Sequence, residues 1–248
     1  MHSGPALAAA MTLFGIIPYS IRLRKETYIM LGVPAVSRSR FIYTLSLFEV
    51  QSLHMKTFDE VVAFHGHACP GLALGYRVAL YALRKLAGRA SDEELVAMVE
   101  NNSCAVDAVQ VMTGCTFGKG NLIFKDYGKQ VYTFIRRPSG DGIRISIDWQ
   151  PPEETGQEKK MWARYMKGDR SAKVLEAVHN RKMKKISVIL NAKDTELLTI
   201  KRGKTVIPGE ARIYPSIRCA VCGEKVMEPR ARVTEGKMVC IPCFEKAE

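Results

Sequence analysis

The run His65-Gly66-His67-Ala68-Cys69 packs two imidazoles and a thiol into five positions directly ahead of Pro70-Gly71. All three side chains are ligands for a borderline-soft metal. With Cys104 or Cys115 brought in from the next element, they make a mixed nitrogen and sulfur site of three protein ligands with room for water or a substrate. In an extended segment side chains repeat with period two, so His65, His67 and Cys69 are expected to point one way. Cys69 is expected at a helix N-cap, where free amides and the helix dipole favour thiolate over thiol. Such a thiolate is either a soft metal ligand or a nucleophile. Asp107 and Gln110 follow Cys104 at helical spacing and share its face, which suits Asp107 to orient a metal-bound histidine. Gly118-Lys119-Gly120 has the composition of an anion-binding loop without the phosphate-loop motif, and a turn into a hairpin explains it equally well. Cys69, Asp107 and Lys119 are therefore the candidates for any catalytic role. The competing reading of each histidine or core cysteine alone is a capping group or a buried small hydrophobe.

A second constellation lies near the C-terminus. Cys219-Ala-Val-Cys222 is followed after 17 residues by Cys240-Ile-Pro-Cys243, the spacing of a four-cysteine zinc site in which two tight turns close a tetrahedron. A unit of about 40 residues has too little core to fold unaided, so this zinc is expected to be structural and coupled to folding. Seven cysteines are too few for a disulfide scaffold. Their pattern reads as metal ligation in a reducing compartment and hence as a cytoplasmic protein.

Several elements must hold these residues in place. Apolar side chains at Leu72, Tyr76, Ala79, Leu80, Leu83 and Leu86 recur with helical period between Pro70 and Gly88, predicting an amphipathic helix over 70–87. Ser91-Asp92-Glu93-Glu94 reads as a capping box and predicts a second helix to about Glu100. A third, short helix is expected from Ser103 to Gly114. Two β-rich runs, 121–126 and 130–136, flank Tyr127-Gly128-Lys129 as a predicted hairpin, and another strand is expected over 143–148. The order implies an α+β fold in which helices pack on a mainly antiparallel sheet, followed by a small four-cysteine zinc ribbon. The domains read as an N-terminal extension (1–54), an α+β core (55–205) and the ribbon (206–248). Met55 looks like the natural beginning of the soluble part.

The 248 residues carry a formal charge of +12, which by itself suits an acidic partner. Its distribution weakens that inference. Residues 151–205 hold 14 Lys and Arg against 7 Asp and Glu, whereas residues 206–248 hold 7 against 6. Phe244 is the one aromatic residue from Cys219 onward, so the ribbon is poorly equipped for base stacking. The apolar run Pro5–Ile17 spans 13 residues, short of the roughly 20 that cross a bilayer. No membrane association is expected.

The segments FHGHACPGLALGYR (64–77) and SCAVDAVQVMTGCTFGKGNL (103–122) closely resemble the FmdE-like family, named for formylmethanofuran dehydrogenase. The ribbon resembles the zinc finger that some members append. The likeness covers about 55–248, and the family positions matched are His65, His67, Cys69, Cys104, Asp107, Gln110, Cys115, Lys119 and Asn121. It implies an α+β core, an intertwined homodimer and a metal-binding pocket holding zinc or another transition metal at the histidine-cysteine cluster. It also implies an association with formylmethanofuran dehydrogenase, the one-carbon chemistry of archaeal methanogenesis. The chain has no run of four closely spaced cysteines for an iron-sulfur cluster. Three readings follow from the residues: a cytoplasmic metal-binding accessory protein, a zinc-finger regulator or metal sensor that binds nucleic acid or protein, and a redox sensor in which Cys69 pairs with another thiol.

Overall fold

A computed structural model describes residues 16–22, 28–34, 55–86 and 88–246. Ahead of Met55 it shows only an antiparallel strand pair, β1 (Ile16–Arg22) and β2 (Tyr28–Pro34). The rest of the expected N-terminal extension lies outside the described residues. The body begins with α1 (Phe58–His65), where the N-cap Thr57 and Glu60, three residues on, form a reciprocal capping box. Next is α2 (Pro70–Lys85), the helix expected from the apolar period, with Cys69 as N-cap and Pro70 in the first turn. Leu72, Val78, Tyr81 and Leu83 are buried along it, each worth about 1.5–3 kcal/mol relative to exposure.

The expected second helix is a strand. Ser91 does engage Glu94, whose carboxylate accepts from the Ser91 amide at 2.7 Å and from its hydroxyl at 3.0 Å. That local box closes a turn, and the chain then enters β3 (Leu95–Val99). Four of its five residues are buried, an apolar run that fits the middle of a sheet better than one helix face. The short helix α3 (Ala105–Thr113) follows, then β4 (Leu122–Phe124), β5 (Val131–Arg136) and β6 (Asp141–Ile147). The expected 121–136 hairpin is not formed either: β3 lies between β4 and β5, parallel to the first and antiparallel to the second.

The basic stretch folds as a helical hairpin, α4 (Gly156–Met166) and α5 (Ala172–Asn191), then a single turn α6 (Asp194–Leu197) and β7 (Leu198–Lys204). The completed sheet has the order β4-β3-β5-β6-β7, antiparallel except at β3–β4. Arg77 on α2 ties the hairpin to the body. Its guanidinium, 6% exposed, donates to the Ile189 and Leu190 carbonyls at the end of α5 and to Asp194 at 2.8 Å, satisfying acceptors that a helix end leaves free.

The ribbon comprises β8 (Ser216–Arg218) paired with β9 (Lys225–Met227), β10 (Arg232–Thr234) paired with β11 (Lys237–Val239), and a last turn α7 (Ile241–Glu245). Its buried cluster consists of Cys219, Val239 and Cys240. The core domain instead encloses a continuous apolar cluster from Val61 on α1 to Leu198 on β7. No helix among the described residues is long and apolar enough to cross a membrane.

Candidate metal centres

His65 ends α1 and Gly66 caps it in the left-handed region, φ 91°, a conformation that glycine adopts without the cost a side chain brings. The chain therefore turns sharply between His65 and Cys69, and the extended geometry expected for His65, His67 and Cys69 does not occur. His65 and Cys69 still come together, because the turn returns the backbone to the start of α2. His67 is exposed, with its ring tilted against that of His65 at a centroid distance of 4.6 Å.

Cys104 is delivered by a close approach of α3 to α2. A β-carbon at Gly75 would lie 2.3 Å from the Ala105 carbonyl oxygen and 2.5 Å from the Ala105 Cα, so only glycine lets the start of α3 rest on α2. One turn earlier, a β-carbon at Gly71 would sit 3.5 Å from the Cys104 Cβ and 4.0 Å from the Cys69 Sγ. The same seam thus frames both thiols. Asn101 fixes the entry to α3 from below: it is 6% exposed, accepts from the Ser103 amide and hydroxyl, and donates to the Lys129 carbonyl and Tyr132 hydroxyl. Gly75 and Asn101 escaped the reading of the sequence. Their signals were a glycine inside a helical period and an asparagine two residues before a helix-opening serine.

The result is a cluster in which His65, Cys69 and Cys104 each offer a ligand atom within 4.8 Å of the others. The Asp107 carboxylate accepts from His65 Nδ1 at 2.7 Å, which puts the proton on Nδ1 and the lone pair on Nε2. That Nε2 is buried and has no hydrogen-bond partner among the described residues. A buried acceptor left unmatched costs free energy, and a metal held by the two neighbouring thiolates removes the cost. Gln110 extends the line, its Nε2 3.5 Å from Asp107 and its Oε1 accepting from the Phe117 amide.

Cys69 accepts from the Leu72 amide at 3.3 Å as the N-cap. Burial raises its pKa above the ordinary thiol value, the Leu72 amide opposes this, and the adjacent Cys104 adds to the rise. Desolvation and a neighbouring thiol thus outweigh the helix end, and the low-pKa thiolate expected of a bare N-cap cysteine is not what the metal-free chain presents. A metal reverses that balance, since a coordinated thiol is deprotonated outright.

Two candidates are placed elsewhere. Cys115 is fully buried, its thiol donating to the Leu95 carbonyl at 3.2 Å. Burial pushes its pKa up to about 11, as for a cysteine acting as a small hydrophobe. Lys119 reaches away to the carbonyls of Ser91 and Asp92, at 3.4 and 3.2 Å. Asn121 is likewise structural, bonding Asp92, Leu95 and Thr116 across the start of β3.

In the ribbon, Cys219, Cys222, Cys240 and Cys243 offer four thiols within 4.8 Å of one another. A tetrahedron with Zn–S bonds of about 2.3 Å has edges of about 3.8 Å, and Cys222 and Cys240 stand 3.8 Å apart. Backbone amides converge on Cys219, those of Val221 and Cys240 at 3.4 and 3.3 Å, and pull its pKa down to about 6. Cys243, facing Cys240 and the other thiols, is pushed up to about 12. Four thiols crowded in this way, one already inclined to ionise, fit a structural zinc.

An α+β body with a histidine-cysteine cluster and a four-cysteine ribbon defines a class of two-domain metal-site proteins. The chain belongs to the FmdE family, described as FmdE, molybdenum formylmethanofuran dehydrogenase operon, which it matches over residues 64–199. Residues 212–248 match the prokaryotic DksA/TraR C4-type zinc finger. A similar curated protein, a probable S-adenosyl-L-methionine-binding protein of Archaeoglobus fulgidus, is 32% identical over 195 residues, 73% of this chain and 50% of the relative. The chain thus spans half the length of that relative. Among solved structures it is similar to a tungsten formylmethanofuran dehydrogenase FmdE-like protein from Syntrophus aciditrophicus, with 21% identity, a TM-score of 0.48, and coverage of 85% of this chain and 98% of the other.

Proposed function

We propose that this FmdE-family chain binds a transition metal, zinc being the simplest candidate, through His65, Cys69 and Cys104, and serves as an accessory to formylmethanofuran dehydrogenase or related one-carbon metabolism in the cytoplasm. The observation that carries the metal reading is the buried, unpartnered Nε2 of His65, aligned by Asp107 beside two thiols. Three protein ligands leave a fourth position for water or an incoming ligand, the pattern of open rather than closed zinc sites. Asp107 positions His65, and Gln110 in turn steadies Asp107. The ribbon zinc is closed and structural. Met166, Leu175, Met183 and Val188 are exposed apolar side chains on the helical hairpin, and they support a homodimer in which a second copy covers them.

Nucleic-acid binding by the basic stretch has less support. Glu154 pairs with Arg181 and Lys185, and Glu158 with Lys184. Arg181 and Arg170 lie over the rings of Trp162 and Tyr165 at 4.2 and 4.0 Å. Cations and aromatic faces that phosphates and bases would need are thus engaged within the hairpin.

Cobalt(II) reconstitution tests the metal reading, because sulfur-ligated cobalt absorbs strongly in the visible. A Cys69→Ser, Cys104→Ser double variant is expected to lose the part of that absorption due to the core site and keep that of the ribbon. An unchanged spectrum contradicts the site. Deleting the gene in its native host tests the accessory role: formylmethanofuran dehydrogenase activity is expected to fall, and unaltered activity contradicts it.

A further inference from the structure

The end of α2 remote from Cys69, about 24 Å along the helix axis, overhangs a hollow of about 360 Å3 against β6 and β7. This volume falls in the range of small-molecule sites. Its lining includes Lys85, Asp141, Arg202 and Lys204, together with Gly142 and Gly203. The two glycines face each other across the β6–β7 ladder, so bare peptide lies in the wall between the charged side chains. Arg202 is held by a 2.6 Å bond from Nη2 to the Tyr81 hydroxyl, and Lys204 by a 2.7 Å pair with Asp141. Lys85 makes no hydrogen bond or ion pair among the described residues, and its Nζ lies 5.9 Å from the Tyr81 ring centroid.

A fourth cation stands beside these. Phe134 pairs with Ile143, and Ile143 with Arg202. Arg136, Asp141 and Lys204 each lie two residues from one of those three, so by strand alternation they share the same face. The Nη1 of Arg136 is buried with no hydrogen-bond partner among the described residues. Four cations therefore meet at one hollow with a single carboxylate among them, and one guanidinium there has a desolvated N–H left unmatched. A buried donor of this kind is costly until an acceptor reaches it, and charge-assisted bonds to phosphoryl oxygens are the strong way to meet it.

We propose that this hollow binds a small phosphorylated metabolite, its phosphate or diphosphate seated among Lys85, Arg136, Arg202 and Lys204. The cations line one concave site rather than a stripe along the surface, which favours a small ligand over a nucleic-acid backbone. The site does not depend on the core metal.

Calorimetric titration of the full, metal-loaded chain with inorganic pyrophosphate, and in a parallel arm with adenosine diphosphate, tests the proposal and separates a free diphosphate from a nucleotide ester. Saturable binding of either is expected, weakened about tenfold or more by Lys85→Glu and by Arg136→Gln. Lys173→Glu makes the same charge change on α5 and is expected to leave it unaltered. No saturable heat with either probe overturns the site, and so does equal weakening by Lys85→Glu and Lys173→Glu. Displacement of pyrophosphate by a DNA oligonucleotide in a manner sensitive to Lys173→Glu also overturns it, in favour of a nucleic-acid surface.

Discussion

Around the four thiols of the ribbon almost nothing apolar is enclosed: among the described residues Val239 is the only aliphatic side chain buried with Cys219 and Cys240, and Val226 and Phe244 pack partly against them. His65, Cys69 and Cys104 sit instead at the edge of a cluster that includes Leu72, Val78, Leu95, Tyr132, Phe134 and Ile145. The same two kinds of ligand chemistry thus stand in opposite relations to folding. In the ribbon the ion replaces the missing core, so binding free energy is folding free energy. In the core domain the scaffold forms first, from a glycine seam and a capped helix, and holds the ligands for an ion it does not need for stability.

The largest effect expected from this contrast is the response to a strong chelator. Structural zinc in small fingers is worth on the order of 10–16 kcal/mol, so amide dispersion for residues 216–245 should collapse in an NMR spectrum while the core signals keep theirs. Simultaneous loss of both sets would erase the distinction. Next in size is Gly75→Ala. Alanine favours a helix by about 1 kcal/mol over glycine, but here its Cβ would meet the Ala105 backbone at 2.3 Å, and overpacking against a backbone costs about 1–3 kcal/mol or more. The overlap wins, so a lower urea midpoint and weaker core metal binding are expected together, with the ribbon metal retained. A midpoint that rises would show the seam to be loose.

Asp107→Asn separates orientation from ligation. Loss of the carboxylate behind a ligating histidine costs about 10–100-fold in metal affinity, so competition with a coloured chelator should show that drop at the core site and none at the ribbon. Equal affinities would leave Asp107 without a role in metal binding. The smallest effect concerns the turn ahead of β3. Burial alone would raise the pKa of Glu94, but the amides of Ser91 and Asp92 and its own amide outweigh it and pull the pKa down to about 2, from 4.5. A depressed carboxylate stabilises the fold above its unfolded value, and that contribution is lost as pH falls from 4.5 through about 2. Glu94→Gln should therefore lie below the wild type in urea stability at neutral pH and converge with it in acid. A gap that is constant with pH would contradict the assignment.

What the sequence disclosed follows the range of the interactions involved. The ribbon ligands were legible from spacing alone, because two tight turns bring each cysteine pair together with no help from the rest of the chain. Helix α2 was legible from its period and its Pro70 and Gly88 boundaries. The Ser91 box was read correctly as local chemistry and wrongly as a helix start, because burial of Leu95–Val99 between β4 and β5 decided the matter from a distance. The parallel β3–β4 pairing was hidden for the same reason: adjacent β-rich runs suggest a hairpin, and nothing local announces a strand inserted between them. Among the core thiols, Cys104 and Cys115 were equivalent on paper. Gly75 brings the first to Cys69, while the Leu95 carbonyl takes the second into the interior.

Metal stoichiometry with element identity, measured on the full chain purified without chelator, tests the paired metal sites most directly. The wild type should carry about two equivalents, and His65→Ala combined with Cys104→Ser should carry about one, with the ribbon signals in the NMR spectrum unchanged. A wild type holding about one equivalent, or a double variant still holding about two, would contradict a metal centre at His65, Cys69 and Cys104.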